Sequence, residues 1–97
     1  MAAYVIGDIG EIRDQETYAK YRAQVLATIE KYGGRFLVRG GAHETLEGKW
    51  RPGRVVVLEF PDMAAAKAWH SSKAYAPLLK LRQSASEGSL VAVEGVG

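Results

Sequence analysis

Arg39, His43 and Glu59 stand within one stretch, LVRGGAHETLEGKWRPGRVVVLEF (residues 37–60), the chain's densest mixture of glycine, charge and β-branched residues. An arginine offers a forked donor to an anionic group, and a carboxylate or an imidazole can move a proton. Other chemistries fail on spacing. A phosphate cradle needs glycines between a strand and a helix, whereas Arg39-Gly40-Gly41 leads through a polar loop into another strand. An RNA-binding Arg-Gly-Gly tract is repeated and low in complexity, and this triplet stands alone. His43 and Glu47 lie four apart, but in a short glycine-bounded segment, while metal sites need three or four convergent ligands. No metal or other cofactor is expected.

A hairpin remains. Arg39 falls in its first strand and Glu59 in its second, where charge inside an apolar strand is costly unless paired. Two readings stay open: a structural Arg39–Glu59 ion pair, or a pocket in which Arg39 binds an anion and Glu59 or His43 acts as a base. Gly40 and Gly41 mark a bulge or a close approach by backbone or ligand. Trp69 and Tyr75 read as core or interface aromatics that would also wall a ligand site. Arg54 and Arg82 read as surface or dimer-contact charges, and Arg82 joins Arg39 as an anion holder if there is a pocket. Asp8 carries the Glu59 argument more weakly, and His70 reads as a partly exposed helical residue.

The elements that must position these residues follow from periodicity. Ala3–Ile12 is a short apolar strand. Asp14 caps a helix whose stripe is Tyr18, Tyr21, Val25, Ile29 and Tyr32, ended by Gly33-Gly34. RFLVRGGAH and GRVVVLEF are strands two and three. Pro61 stops the third strand and Asp62 caps MAAAKAWHSS, which Ser71-Ser72 interrupts. Pro77 opens a further helical segment with Leu78, Leu81 and Ala85 on its apolar face. SLVAVEGV closes the chain as strand four. The order βαββαβ predicts an α+β, ferredoxin-like sandwich over residues 1–97, a four-stranded antiparallel sheet with helices on one face.

Composition bounds the partners. Ninety-seven residues make one domain's worth of chain. Without cysteine there is neither disulfide nor thiolate chemistry. Thirteen basic against eleven acidic residues, with never more than two basic residues adjacent, do not form the stripe that nucleic acid requires. The first residues lack the basic and apolar segments of a signal peptide, and no run approaches a membrane span. A cytoplasmic protein without nucleic-acid or membrane partners is expected.

Strand three alternates Val55, Val57 and Glu59 against Val56, Leu58 and Phe60, and strand four is likewise apolar on both sides. Helices cover one face, and a solvated second face should be polar. The reading is a homodimer whose two sheets face each other.

The chain resembles the domain-of-unknown-function family numbered 1330, of the dimeric α+β barrel superfamily. The resemblance rests on RGG (39–41), LEGKW (46–50), PGRVVVLEFP (52–61), AWHSSKAY (68–75) and PLLKLR (77–82), and runs from about Tyr4 to Glu94. His70 stands where the family often has tyrosine. The resemblance implies a ferredoxin-like subunit in a two-sheet dimer and supplies no reaction. The wider superfamily includes cofactor-independent quinone-forming monooxygenases, muconolactone isomerases and haem-binding or haem-degrading enzymes, the last using a helical histidine, for which His70 is the only positional candidate, in a motif that otherwise does not match that branch. Two functions are carried forward. One is a pocket that binds, or transforms without cofactor, a small organic acid or aromatic, using Arg39, Arg82, Trp69 and Tyr75 with Glu59 or His43. The other is a non-catalytic dimeric binding or stress-related protein whose strand charges are structural.

Overall fold

Two aspartates start two of the helices in the computed structural model, which describes residues 1–96. Asp14 accepts from the Thr17 amide at 3.1 Å and the Thr17 hydroxyl at 2.7 Å, opening α1 (Gln15–Lys31). Asp62 accepts from the Ala65 amide at 2.7 Å, opening α2 (Met63–His70). Each replaces a helical partner that the first-turn N–H groups lack. Gly33 ends α1 in the left-handed region (φ 78°), and the Gly34 amide donates back to the Ile29 carbonyl at 3.0 Å.

The strands are β1 (Ala3–Ile12), β2 (Arg35–Arg39), β3 (Arg54–Phe60) and β4 (Ser86–Glu94), with α3 (Ala76–Ala85) before the last. All pairings are antiparallel, in the order β2-β3-β1-β4. This is the ferredoxin-like α+β arrangement, its second helical region split in two. Ser72 makes the split: its hydroxyl donates to the Trp69 carbonyl at 2.7 Å and accepts from the Tyr75 amide at 3.1 Å. Trp69 and Tyr75 are thereby held with ring centres 4.2 Å apart.

Two strand boundaries differ from expectation. β2 ends at Arg39, because Gly40 (φ 72°) turns the chain away after its amide has reached the Val55 carbonyl at 2.7 Å. β4 begins at Ser86, directly after α3, because the far end of β1 offers pairing partners: Ile12 faces Ser86 and Glu11 faces Glu87. Pairing overrides the poor strand propensity of Ser-Glu-Gly.

The sheet's inner face sends Val5, Ile9, Leu58 and Phe60 against Tyr18, Tyr21, Val25, Ile29, Trp69 and Leu78 of the helices. Its outer face carries Ile6, Val38, Val91 and Val93, which are 37%, 37%, 60% and 42% exposed. The second apolar face expected from the strands is present. Among the described residues no helix is long and apolar enough to cross a membrane.

Gly34 sits where a methyl group would come within 2.6 Å of the Phe60 ring and 2.8 Å of the Ile29 side chain. Gly34→Ala is expected to destabilise the fold by roughly 1–3 kcal/mol through overpacking, read as a drop in thermal midpoint of at least about 4 °C.

Candidate functional site

One extra residue in β2 builds this site. Phe36 faces Leu58 and Val38 faces Val57, so Leu37 is a bulge without a partner across the ladder. Strict alternation would send Arg39 to the same face as Arg35 and Glu59. The bulge reverses the phase, and Arg39, opposite Val56, turns to the inner face beneath α1. There its guanidinium lies 4.3 Å from the centre of the Phe36 ring and donates to the Arg22 carbonyl of α1.

The expected Arg39–Glu59 neighbourhood is therefore corrected. Glu59 lies on the outer face and pairs with Arg35, Nε to Oε1, at 2.8 Å. That pair is the structural ion pair of the hairpin, made by a different arginine. His43 sits in the exposed β2–β3 loop, with Nε2 2.9 Å from the Pro52 carbonyl. Neither Glu59 nor His43 lines the space that Arg39 reaches. Asp8 fastens that same loop to the sheet, its two oxygens accepting from the Gly53 amide at 2.9 Å and the Trp50 indole at 2.7 Å.

The space beneath α1 is a cavity of about 30 Å³ between sheet and helices. Apolar groups line most of it, among them Ile9, Val56, Leu58, Trp69 and Leu90. Its polar lining comes from Arg22, Arg39, Arg54, Arg82, Tyr18 and Tyr21, with no carboxylate among them. Arg82 is 5% exposed and projects from α3 on the same stripe as Leu78 and Ala85, which corrects its reading as a surface charge. Its Nε and that of Arg54 are buried without a hydrogen-bond partner. The ion pairs among the described residues, Arg13–Glu87 and Arg35–Glu59, lie elsewhere. A buried cation without a counter-charge is rare, since desolvation is offset only by pairing.

Tyr21 stands in the wall with Tyr75 behind it. The Tyr21 and Tyr75 hydroxyls are 3.1 Å apart and buried. Burial foremost, and the neighbouring Tyr75 next, hold the Tyr21 phenol well above its ordinary 10.0, with Arg82 pulling more weakly the other way. Two hydroxyls joined by one hydrogen bond leave one proton free. Tyr75 is fully buried and does not line the cavity, so Tyr21 is the member able to present a donor there. Trp69 lines the cavity while its indole donates to Thr28 at 3.1 Å.

Of the six residues singled out by sequence, Arg39, Arg82 and Trp69 meet at the cavity, Tyr75 stands behind it, and Glu59 and His43 are elsewhere. Sequence reading missed Tyr21, which it took for stripe, and Arg54. A more open groove of about 370 Å³ lies between α2 and β4, lined by Val5, Ala66, Leu90 and Ala92 with Lys67 and His70. None of its side chains carries a buried polar atom left without a partner.

The sheet order and the helices packed on one face define a ferredoxin-like α+β protein. The chain belongs to the family described as domain of unknown function DUF1330, whose model matches residues 2–96. A protein of unknown function from Rhodopseudomonas palustris is similar over 99% of this chain and 83% of its own, at 20% identity and a TM-score of 0.78. A dimeric ferredoxin-like protein of unknown function from Jannaschia sp. CCS1 is similar over 98% of this chain and all (100%) of its own, at 14% identity and a TM-score of 0.64. SnoaB, a cofactor-independent oxygenase from Streptomyces nogalater, is similar over 99% of this chain and 93% of its own, at 12% identity and a TM-score of 0.61. At these identities the likeness is one of fold. No curated protein matches the sequence.

Tyr21 keeps its proton in the folded chain at a pH where the unfolded chain releases it. Its contribution to stability is thus complete below pH about 10 and is lost as pH rises beyond that value. The thermal midpoint should fall above pH about 10, and Tyr21→Phe should flatten the fall; equal slopes in both proteins would contradict the assignment.

Proposed function

We propose that the protein binds a small organic acid or aromatic anion between its sheet and helices, as a homodimer joined through the outer sheet face. The observation that carries the binding reading is Arg82: a guanidinium 5% exposed, without a carboxylate partner among the described residues, on a mostly apolar cavity that no carboxylate lines. A carboxylate entering there would supply the missing counter-charge and accept from Arg82, while Tyr21 donates a second hydrogen bond. Trp69 and Phe36 offer apolar walls to the ligand's body. A cytoplasmic setting fits the chain's lack of cysteine.

The dimer reading rests on Ile6, Val38, Val91 and Val93, large apolar side chains left exposed on the face away from the helices. A second copy laid across that face would bury about 1,200–2,000 Å², the range of stable interfaces. The dimeric assembly named for the Jannaschia protein supports it.

Cofactor-free conversion of the bound anion is the second reading. It is favoured by Tyr21, whose hydroxyl, kept neutral by burial, stands at the cavity and can donate a hydrogen bond to negative charge that develops on the bound molecule. The fold shared with SnoaB is in keeping with it. Glu59 and His43, away from the cavity, have no proton-transfer part there in this reading.

Calorimetric titration with benzoate and other small carboxylates should give saturable binding that Arg82→Gln weakens at least about tenfold. Binding indifferent to that substitution would remove the pocket from the account. Val57→Glu places a charge on the outer face and should yield monomers by light scattering, where the unsubstituted chain at micromolar concentration is a dimer. A monomeric unsubstituted chain would contradict the assembly.

A further inference from the structure

Four guanidinium groups converge on one small region. Arg82 and Arg54 each keep a buried Nε without a partner at the cavity. Arg54 shares with Arg22 and Arg39 a second, outer depression of about 530 Å³, lined otherwise by Ala19 and Ala23 of α1. Arg22, Arg39 and Arg54 line both spaces and so form the partition between them. Among the described residues no carboxylate lines either space. The whole chain has thirteen basic and eleven acidic residues; without these four arginines it has nine against eleven. The lining of the two spaces thus brings together four of the thirteen basic residues and none of the eleven acidic ones.

From this we infer that the natural ligand is a dianion, a small molecule with two acid groups, one held by Arg82 inside and the other by Arg39 and Arg54 at the mouth. The inference rests on the binding reading above and extends it to ligand class. A single carboxylate on Arg82 would leave exposed Arg39 and half-buried Arg54 at the mouth free to hold a further anionic group, since neither has an acidic partner among the described residues. A second acid group supplies it.

The partition is also suited to opening. About 30 Å³ holds little more than a water molecule, so a ligand must displace the side chains at the mouth. Arg39 and Arg54 are tied to main-chain carbonyls, of Arg22 and Arg39 respectively, and to no acidic side chain among the described residues. Gly40 lets Arg54 lie where it does. With φ at 72°, the place a side chain at position 40 would take is occupied by the Arg54 guanidinium. Turning outward, both arginines remain within reach of a group that protrudes from the cavity.

Matched probes test this. Benzoate is titrated against phthalate, isophthalate and terephthalate, and butyrate against glutarate, at one ionic strength, by calorimetry. At least one diacid should bind about tenfold or more tightly than its monoacid, with the difference shrinking as salt is added. In the Arg39→Gln/Arg54→Gln double variant the diacid's advantage over its monoacid should shrink to less than about threefold, while Arg82→Gln weakens both. Diacids no tighter than monoacids, with monoacid binding still dependent on Arg82, would overturn the dianion and leave the pocket standing. Phenyl phosphate binding tightly while every diacid matches its monoacid would also overturn it, in favour of a phosphoryl group. Absence of binding by all probes, or binding indifferent to Arg82, would overturn both this inference and the reading beneath it.

Discussion

A guanidinium placed inside a protein must find a counter-charge or be paid for in lost stability, by several kcal/mol when nothing offsets its desolvation. Arg82 is such a group. It occupies a position on α3 that its neighbours Leu78 and Ala85 mark as core, and the space beside it contains phenols, other arginines and apolar carbon. A sequence selected only for stability would place leucine or methionine there. Much of the surrounding architecture becomes intelligible if this charge awaits an anion. Tyr21 is kept protonated beside it, and Tyr75 takes up the hydrogen bond that would otherwise draw Tyr21 elsewhere.

The backbone adapts to that requirement at two points. The bulge at Leu37 turns Arg39 inward while leaving Arg35 on the outer face to pair with Glu59. Gly40 then clears the space for Arg54. Both devices sit at the end of the edge strand, where a lost ladder bond costs least and where bulges are tolerated. The sheet thus divides its labour by face. The inner face meets the helices and the cavity, and the outer face presents valine and isoleucine.

The fold was legible because its signals are local and repeated. Asp14 and Asp62 as caps, the Tyr18–Ile29 stripe, Gly33-Gly34 and the two-faced valine strand each follow from periods and backbone chemistry readable one segment at a time. The site was legible only in part. Arg39, Arg82 and Trp69 were named as binding residues and do line one cavity. Arg39 and Glu59 were linked as charges in the two strands of one hairpin, a link that takes no account of one inserted residue in a strand. Arg22, Arg39, Arg54 and Arg82 are too far apart in sequence to read as a basic cluster, and only the tertiary fold brings them together. One overlooked signal was available: Arg82 falls four residues after Leu78 and three before Ala85, within the apolar stripe.

The most direct test is the urea stability of Arg82→Met, a side chain of similar length without charge. If Arg82 is an unpaired buried cation kept for a ligand, the ligand-free variant will be as stable as the parent or more so, because a desolvated charge has been removed. If Arg82 is a structural residue whose charge is balanced within the fold, the variant will lose about 3 kcal/mol or more, and the account of the site will be wrong.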